Sequence, residues 1–203
     1  MATYKDLQDR IALDYLNRMT LGNEVKRAIQ NSIKTYESTR YWFNEASTAT
    51  ATSAGIAFIN IPSDFLTLDR LEVTFGSSDY QMSRRDFNWI RDMNVTRTQG
   101  WPTDFAYHGD RFELAIIPDS AYSITCYYIR TLPVLSADAD TNAWTNEAAN
   151  LIAHAATIDL LSGVLQADER VINRHVGMLR MAQTELNLRN STRLTFSLKA
   201  TNF

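Results

Sequence analysis

Cysteine is nearly absent: Cys126 is the only one in 203 residues. A single thiol forms no internal disulfide and builds neither a thiolate cluster nor a zinc framework. Its setting, SITCYYI, alternates as a strand does, so a buried structural thiol is expected rather than a nucleophile. Glycine is also scarce, with seven scattered residues. They supply no phosphate-binding loop or dinucleotide fingerprint, and no G-x-S-x-G is present. Charge of one sign is missing too: the net value of −3 does not by itself point to a nucleic-acid or membrane partner. No stretch approaches the ~20 apolar residues of a membrane span. The N-terminus, MATYKDLQDRIALDYL, has acids among its first residues and no unbroken apolar segment, so no signal peptide is expected. Hydrophobic residues at 45% and charged residues at 21% are ordinary for a soluble folded protein. The expectation is a soluble chain made in a reducing cytoplasm, without a membrane anchor and without a cofactor.

Proline is absent from both flanks. Pro62, Pro102, Pro118 and Pro133 all lie in the middle, and long helices require such an absence. The chain therefore reads as α+β: helical ends around a β-rich centre. The first helix opens at TYKD, where Thr3 and Asp6 form a capping box, and Tyr4, Leu7, Ile11 and Tyr15 recur at helical spacing. Gly22 is the expected stop and Asn23 the next cap. A second helix carries Val25, Ile29, Ile33 and Tyr36, and ASTATATSAG after it reads as a loop.

In the centre, IAFINIP, LDRLEVTF and YQMS read as strands. SRRDFNWIRDMN reads as a short helix boxed by Ser83 and Asp86, and HGD as a hairpin turn. YSITCYYIRTLPVL is the strongest strand; both its faces are apolar, which predicts a central position. Thr145 is the expected cap of a third helix with Leu151, Ala155, Ile158 and Leu165 on its stripe. Asp168 or its predecessor opens a fourth, with Val171, His175, Met178, Ala182 and Leu186. After Glu185 only bases follow, and STRLTFSLKATNF lacks helical period, which predicts a basic, extended tail. The expected domains are 1–50 with 140–189 (helical), 51–139 (β-rich with one short helix) and 190–203 (tail).

Few constellations suggest chemistry. DADTN at 138–142 starts like a calcium loop, but the sixth and twelfth positions are Ala143 and Ala149, where Gly and Glu are needed. A turn into a helix is the better reading. His108, His154 and His175 lie far apart and none has a ligand-type residue at the spacing of a metal helix, so ordinary surface or core histidines are expected. Many carboxylates adjoin bases, as in Asp69-Arg70, Arg85-Asp86, Arg91-Asp92 and Asp110-Arg111, which reads as solvated charged faces. No catalytic residue and no metal ligand is assigned.

Two stretches favour contact with other proteins. MSRRDFNWIRDMN mixes Arg84 and Arg85 with Phe87 and Trp89, but Asp86 and Asp92 interrupt the positive field that nucleic acid needs. Interfaces enrich these residue types. Arg40, Tyr41, Trp42 and Phe43 stand in a row, more large rings than one face of a surface helix needs. Two arrangements accommodate them: packing under the β module, or contact with a neighbouring subunit.

IKTYESTRYWFNE, IPSDFLTLDRLEV, RRDFNWI and GWPTDFAYHGDRFELAIIPDSAYSITCYYIRTLPVLSADADTNAW, followed by a helical pair, occur in that order. Over about residues 25–190 the chain resembles the head-to-tail adaptor (connector) proteins of tailed bacteriophages, especially short-tailed ones. The resemblance implies an antiparallel helical bundle of N- and C-terminal helices with an inserted β-rich module. It implies a ring of roughly twelve copies, closed by rotation, beneath the portal protein at the head–tail junction of the virion. Such a ring extends the channel for double-stranded DNA, without specific binding, and gives the tail nozzle or fibres a platform. Permanent contacts of this kind often bury ~2,000–5,000 Å². Arg40, Tyr41, Trp42, Phe43, Arg84, Arg85, Phe87 and Trp89 are the expected subunit or partner contacts. Arg189, Arg193, Phe196, Lys199 and Phe203 are the expected portal-docking residues of the tail. The resemblance implies no enzyme. The rival readings are a nucleic-acid-binding protein, using the Arg/Trp helix and basic tail, and a virion-associated cell-wall hydrolase.

Overall fold

The computed structural model of the protein describes residues 1–95 and 98–195. In chain order its α-helices are α1 (Tyr4–Asp9), α2 (Gly22–Tyr36), α3 (Phe87–Val95), α4 (Ala143–Asn146), α5 (Ala149–Asp159) and α6 (Glu169–Thr195). Its strands are β1 (Glu45–Ala51), β2 (Phe58–Asn60), β3 (Phe65–Phe75), β4 (Ser78–Gln81), β5 (Ser83–Arg84), β6 (Asp104–His108), β7 (Arg111–Leu114) and β8 (Ser123–Arg130). The fold is mixed α+β. Two compact units divide it: Met1–Asn44 with the chain from Leu132 onward, and Glu45–Thr131.

The helical unit is started and stopped by local polar chemistry. The Thr3 hydroxyl accepts from Asp6 N at 3.1 Å and the Asp6 carboxylate accepts from Thr3 N at 2.8 Å, which satisfies amides that no helical carbonyl reaches. α1 then continues as a π-helical segment over Arg10–Tyr15, and α5 does the same over Leu160–Val164. Both segments stop the same way. Asn17 and Gln166 take left-handed φ values of +49° and +45°, and Arg18 N and Ala167 N close back onto Ala12 O and Leu161 O. Asn17 is thus the stop expected at Gly22. Gly22 instead opens α2, without a side-chain cap from its neighbour Leu21.

α4 is capped by Asn142, whose carbonyl oxygen accepts from Trp144 N and Thr145 N. Thr145, the expected cap, holds the reciprocal position and accepts from Asn142 N. The Asp168 carboxylate accepts from Arg170 N at the start of α6.

The unit's core joins both chain ends: Tyr4, Leu7 and Ile11; Val25, Ala28 and Ile29; Trp144, Leu151, Ile152 and Ala156; Ala182 and Leu186. α5 is buried around most of its circumference, so the single stripe expected at Ala155, Ile158 and Leu165, all half-buried, understates it. Among the described side chains of α6 the buried ones are His175, Ala182 and Leu186, whereas Val171 and Met178 stand exposed. α6 runs through Thr195. Residues 190–195, expected in an extended tail, are therefore helical; residues 196–203 lie outside the described residues.

The β unit contains two four-stranded sheets ordered β1-β8-β3-β4 and β2-β7-β6-β5. β8 is central, as its apolar faces require. Two hairpins turn in two residues, β3–β4 through Gly76-Ser77 and β6–β7 through Gly109-Asp110. Both glycines sit at φ +63°, a conformation that costs other residues a Cβ clash. Ile59, Phe105, Phe112 and Leu114 of one sheet pack with Leu71, Val73, Ile124 and Cys126 of the other.

β1 occupies most of the stretch expected as a loop. Its small, exposed residues carry no hydrophobic alternation, yet β8 offers a full row of partners from Glu45↔Ile129 to Ala51↔Ser123. Ser83, the expected cap of α3, belongs to β5. Asp86 alone receives Asn88 N, at 2.8 Å.

Candidate functional site

The row of rings beginning at Arg40 resolves into one buried cluster with one partly exposed edge. Asn44, fully buried, holds the turn after α2. Its carbonyl oxygen accepts from Tyr41 N at 2.8 Å, while its amide donates to Thr39 O at 2.8 Å and Glu37 O at 3.2 Å. This polar pin reverses the chain sharply enough for consecutive side chains to point into the same core. Tyr41 has 0% of its surface exposed and stacks on Phe43 at 5.1 Å. Both rings meet Trp144 edge-on, at 5.9 and 5.1 Å. Tyr41 was expected at a subunit contact; with no exposed surface it is a core residue of its own chain, and burial pushes its phenol pKa up.

Trp42 and Phe43 remain half-buried. Two tail residues anticipated for docking meet Trp42 here. The guanidinium groups of Arg189 and Arg193 both lie 4.8 Å from a Trp42 ring centroid, close enough for cation–π attraction. Arg189 also pairs with Glu147. Asn190 receives Trp42 N at 3.1 Å and donates to Arg40 O at 3.0 Å. Arg40–Phe43 and the last turns of α6 thus form one assembly inside the helical unit. Phe196, Lys199 and Phe203 lie outside the described residues.

Arg84, Arg85, Phe87 and Trp89 belong to the β unit. Arg84 lies over Tyr107 at 4.6 Å, and Arg85 lies over Trp89 at 5.4 Å while pairing with Asp104 at 2.7 Å. Phe87 stacks on His108 at 4.2 Å. Trp89 is 39% exposed, so part of an indole faces outward beside an arginine. The same unit bears a second aromatic surface that the sequence did not disclose. Phe75 stacks on Trp101 at 5.1 Å, and Tyr80 approaches the same indole at 5.1 Å. Its members come from a hairpin and a distant loop, so no local pattern announces it.

The titratable groups are mostly occupied within the chain. The Asp140 carboxylate accepts from the backbone amides of Ser136 and Ala137, each at 2.7 Å, which lowers its pKa. Asp138, held low by Lys26 and Gln8, pairs with Lys26 at 3.2 Å. DADTN is therefore a pinned turn. Cys126 is buried, and burial pushes its thiol up to about 11, which disfavours the nucleophilic thiolate.

His154 and His175, 21 residues apart on α5 and α6, meet with their Nδ1 atoms 3.2 Å apart. Tyr15 stacks on His154 at 5.0 Å. Burial and the neighbouring His175 push His154 down to about 4, and burial lowers His175 as well. One neutral imidazole donates to the other there. Among the described residues no group of three or more His, Cys, Asp or Glu side chains is placed to hold a metal. No described helix is long and apolar enough to cross a membrane.

No curated protein matches the sequence. The model of the SU10 adaptor protein family, in contrast, matches residues 2–198, spanning both units and all the candidate residues except Lys199 and Phe203. With nearly its whole length accounted for in this way, the chain belongs to the SU10 adaptor protein family of phage head–tail adaptors.

Proposed function

We propose that the protein assembles as a ring of roughly twelve copies, closed by rotation, beneath the portal. There it extends the DNA channel and offers the tail nozzle or fibres their platform. The near-complete match to an adaptor family carries this reading. Its helices form the antiparallel bundle of the ring body, with the β module inserted. Subunit or partner contact falls to Arg40, Trp42 and Phe43, and to Arg84, Arg85, Phe87 and Trp89, with Tyr41 supporting the first group from inside. A net charge of −3 suits a conduit through which DNA slides, because phosphate contacts would hold the genome back.

Docking on the portal falls to Phe196, Lys199 and Phe203. Arg189 and Arg193 support it by fixing the end of α6 against Trp42. The role involves no reaction.

The test is co-assembly with the portal protein, read by native mass spectrometry, for the whole chain and for a chain ending at Thr195. The whole chain is expected to add many copies per portal, and the shortened chain to fold but dock weakly. Failure to join the portal, together with steeply salt-sensitive duplex binding or cleavage of cell-wall material, would replace this reading with one of its rivals.

A further inference from the structure

β1 and β4 stand at the two ends of one sheet, and both edges are open. β1 is exposed from Ser47 to Ala51, and β4 is exposed along its whole length. In an antiparallel pair, every second residue of an edge strand turns its N–H and C=O away from its neighbour. Among the described residues, no backbone hydrogen bond carries Ala46–Ala51 beyond β8 or Ser78–Gln81 beyond β3. Native sheets commonly blunt such an edge with lysine, proline or a bulge. β1 has none of the three. Its register with β8 is unbroken from Glu45↔Ile129 to Ala51↔Ser123, and its one charge, Glu45, lies at the first position.

A row of alternating donors and acceptors is completed by another extended backbone. Direction and side-chain size both point to the opposite edge of the same sheet. All three pairings in β1-β8-β3-β4 are antiparallel. With four strands, β1 and β4 run in opposite directions. A second copy set beside the first therefore brings β1 against β4 antiparallel and continues the alternation. Thr50, Ile124, Val73 and Tyr80 lie opposite one another in turn, so they form one row on one face. Ile124 and Val73 are buried, but Tyr80 at the end of the row is 45% exposed, with Trp101 against it at 5.1 Å. On that face β1 presents the small residues Ala46, Thr48 and Thr50. An aromatic ring beside a β-branched residue on the next strand is a favourable cross-strand pair. Joining β1 to a second β1 would set small residues against small ones and leave Tyr80 bare. Paired over Ala46–Ala51, the single acid of β4, Asp79, also stays clear of Glu45.

We infer that β4 of one copy adds to the open edge of β1 in a second copy, joining their sheets antiparallel and head to tail. The inference rests on the proposed ring and names a contact within it. Such a heterologous contact leaves one β1 edge and one β4 edge free at the ends of any open chain of copies, so it propagates until rotation closes it.

The test is hydrogen exchange at single-residue resolution on the full chain, diluted until monomeric and then assembled with its portal. Native mass spectrometry of the same samples reports whether rings have formed. On assembly, amides within Ala46–Ala51 and within Ser78–Gln81 are expected to slow together, by about tenfold or more. Rings in which neither segment slows would overturn the inference and leave the ring reading in place. Slowing of one segment alone would overturn it too, because the added strand would then come from another protein. Ala49→Lys with Ala51→Lys puts charge on the open edge of β1. Both side chains are exposed, so far-UV circular dichroism and melting should match the parent while multi-copy assembly is lost. Rings of the parent's copy number from this variant would contradict the inference. A parent chain that never assembles would remove the ring reading and this inference together.

Discussion

The helical unit is assembled from two chain segments separated by 87 residues, Glu45–Thr131, whereas the β unit is that one continuous stretch. The difference decides where each unit keeps its specificity. In the β unit, two-residue turns set the β3–β4 and β6–β7 pairings by local geometry, although β8 finds β1 and β3 from afar. In the helical unit the decisive contacts are distant: Tyr41 and Phe43 against Trp144, Trp42 against Arg189 and Arg193, His154 against His175. Substitutions in the helical unit should therefore act through pieces brought from afar, and those in the β unit through backbone geometry.

The largest expected effect comes from Trp144→Ala. The ring is 1% exposed and holds the aromatic cluster together, so its loss should cost about 3–5 kcal/mol, measured by urea denaturation. Hydrogen exchange should place the loosening in the helical unit. Uniform loosening of both units would break the comparison.

Asn44→Ala comes next. It leaves Tyr41 N and the carbonyls of Glu37 and Thr39 without their partner in a buried site, a loss of roughly 2–3 kcal/mol. Because the pin sits where one unit ends and the other begins, its loss should release Tyr41 from the core, seen as altered near-UV circular dichroism.

Acid provides a third probe. His154 and His175 both titrate lower in the folded chain than the ordinary imidazole range. The unfolded chain therefore binds more protons as pH falls below about 6.5. The contribution of the pair is fully present above that pH and is lost as pH falls through the window toward about 4. Discounted for the partial exposure of His154, the loss is on the order of 1–2 kcal/mol. Melting curves at pH 7.5 and 5 should show it, and His154→Gln should flatten that dependence.

The smallest effect is expected in the β unit. Gly109→Ala or Gly76→Ala puts a Cβ on a residue at φ +63°, costing about 1 kcal/mol. Open space surrounds both positions, so backbone strain alone is responsible. A loss as large as that of Trp144→Ala would contradict the view that these turns act locally.

Distance along the chain, rather than the unit, governs what could be read in advance. The Thr3–Asp6 box, the Asp168 cap, the β6–β7 hairpin and the apolar pattern of β8 depend on residues a few positions apart, and each was legible. β1 was not, because an edge strand of small polar residues becomes a strand only when β8 supplies its partners. The cap of α4 moved from Thr145 to Asn142 because both residues suit a capping box and only the backbone decides between them. The stripe of α6 was misassigned at Val171 and Met178 because the helix has two apolar faces, and spacing alone does not say which faces inward.

For the candidate site, residue types in Arg40–Phe43 drew attention to a segment that the fold ties to the end of α6, yet not to Tyr41 as core. Its burial depends on Asn44 and on Trp144, about a hundred positions away. Arg189, named among the docking residues, lies in the helical segment expected for it and is held by Trp42 and Glu147 of its own unit. The histidine pair was missed because no helical spacing joins residues on separate helices.

The central claim, assembly into a ring on the portal, is tested most directly by the mass of the complex formed when the full chain is mixed with its portal protein. The account predicts a discrete complex with many copies of this chain per portal, closed rather than open-ended. A chain that stays monomeric beside the portal, or adds only a single copy, would contradict it.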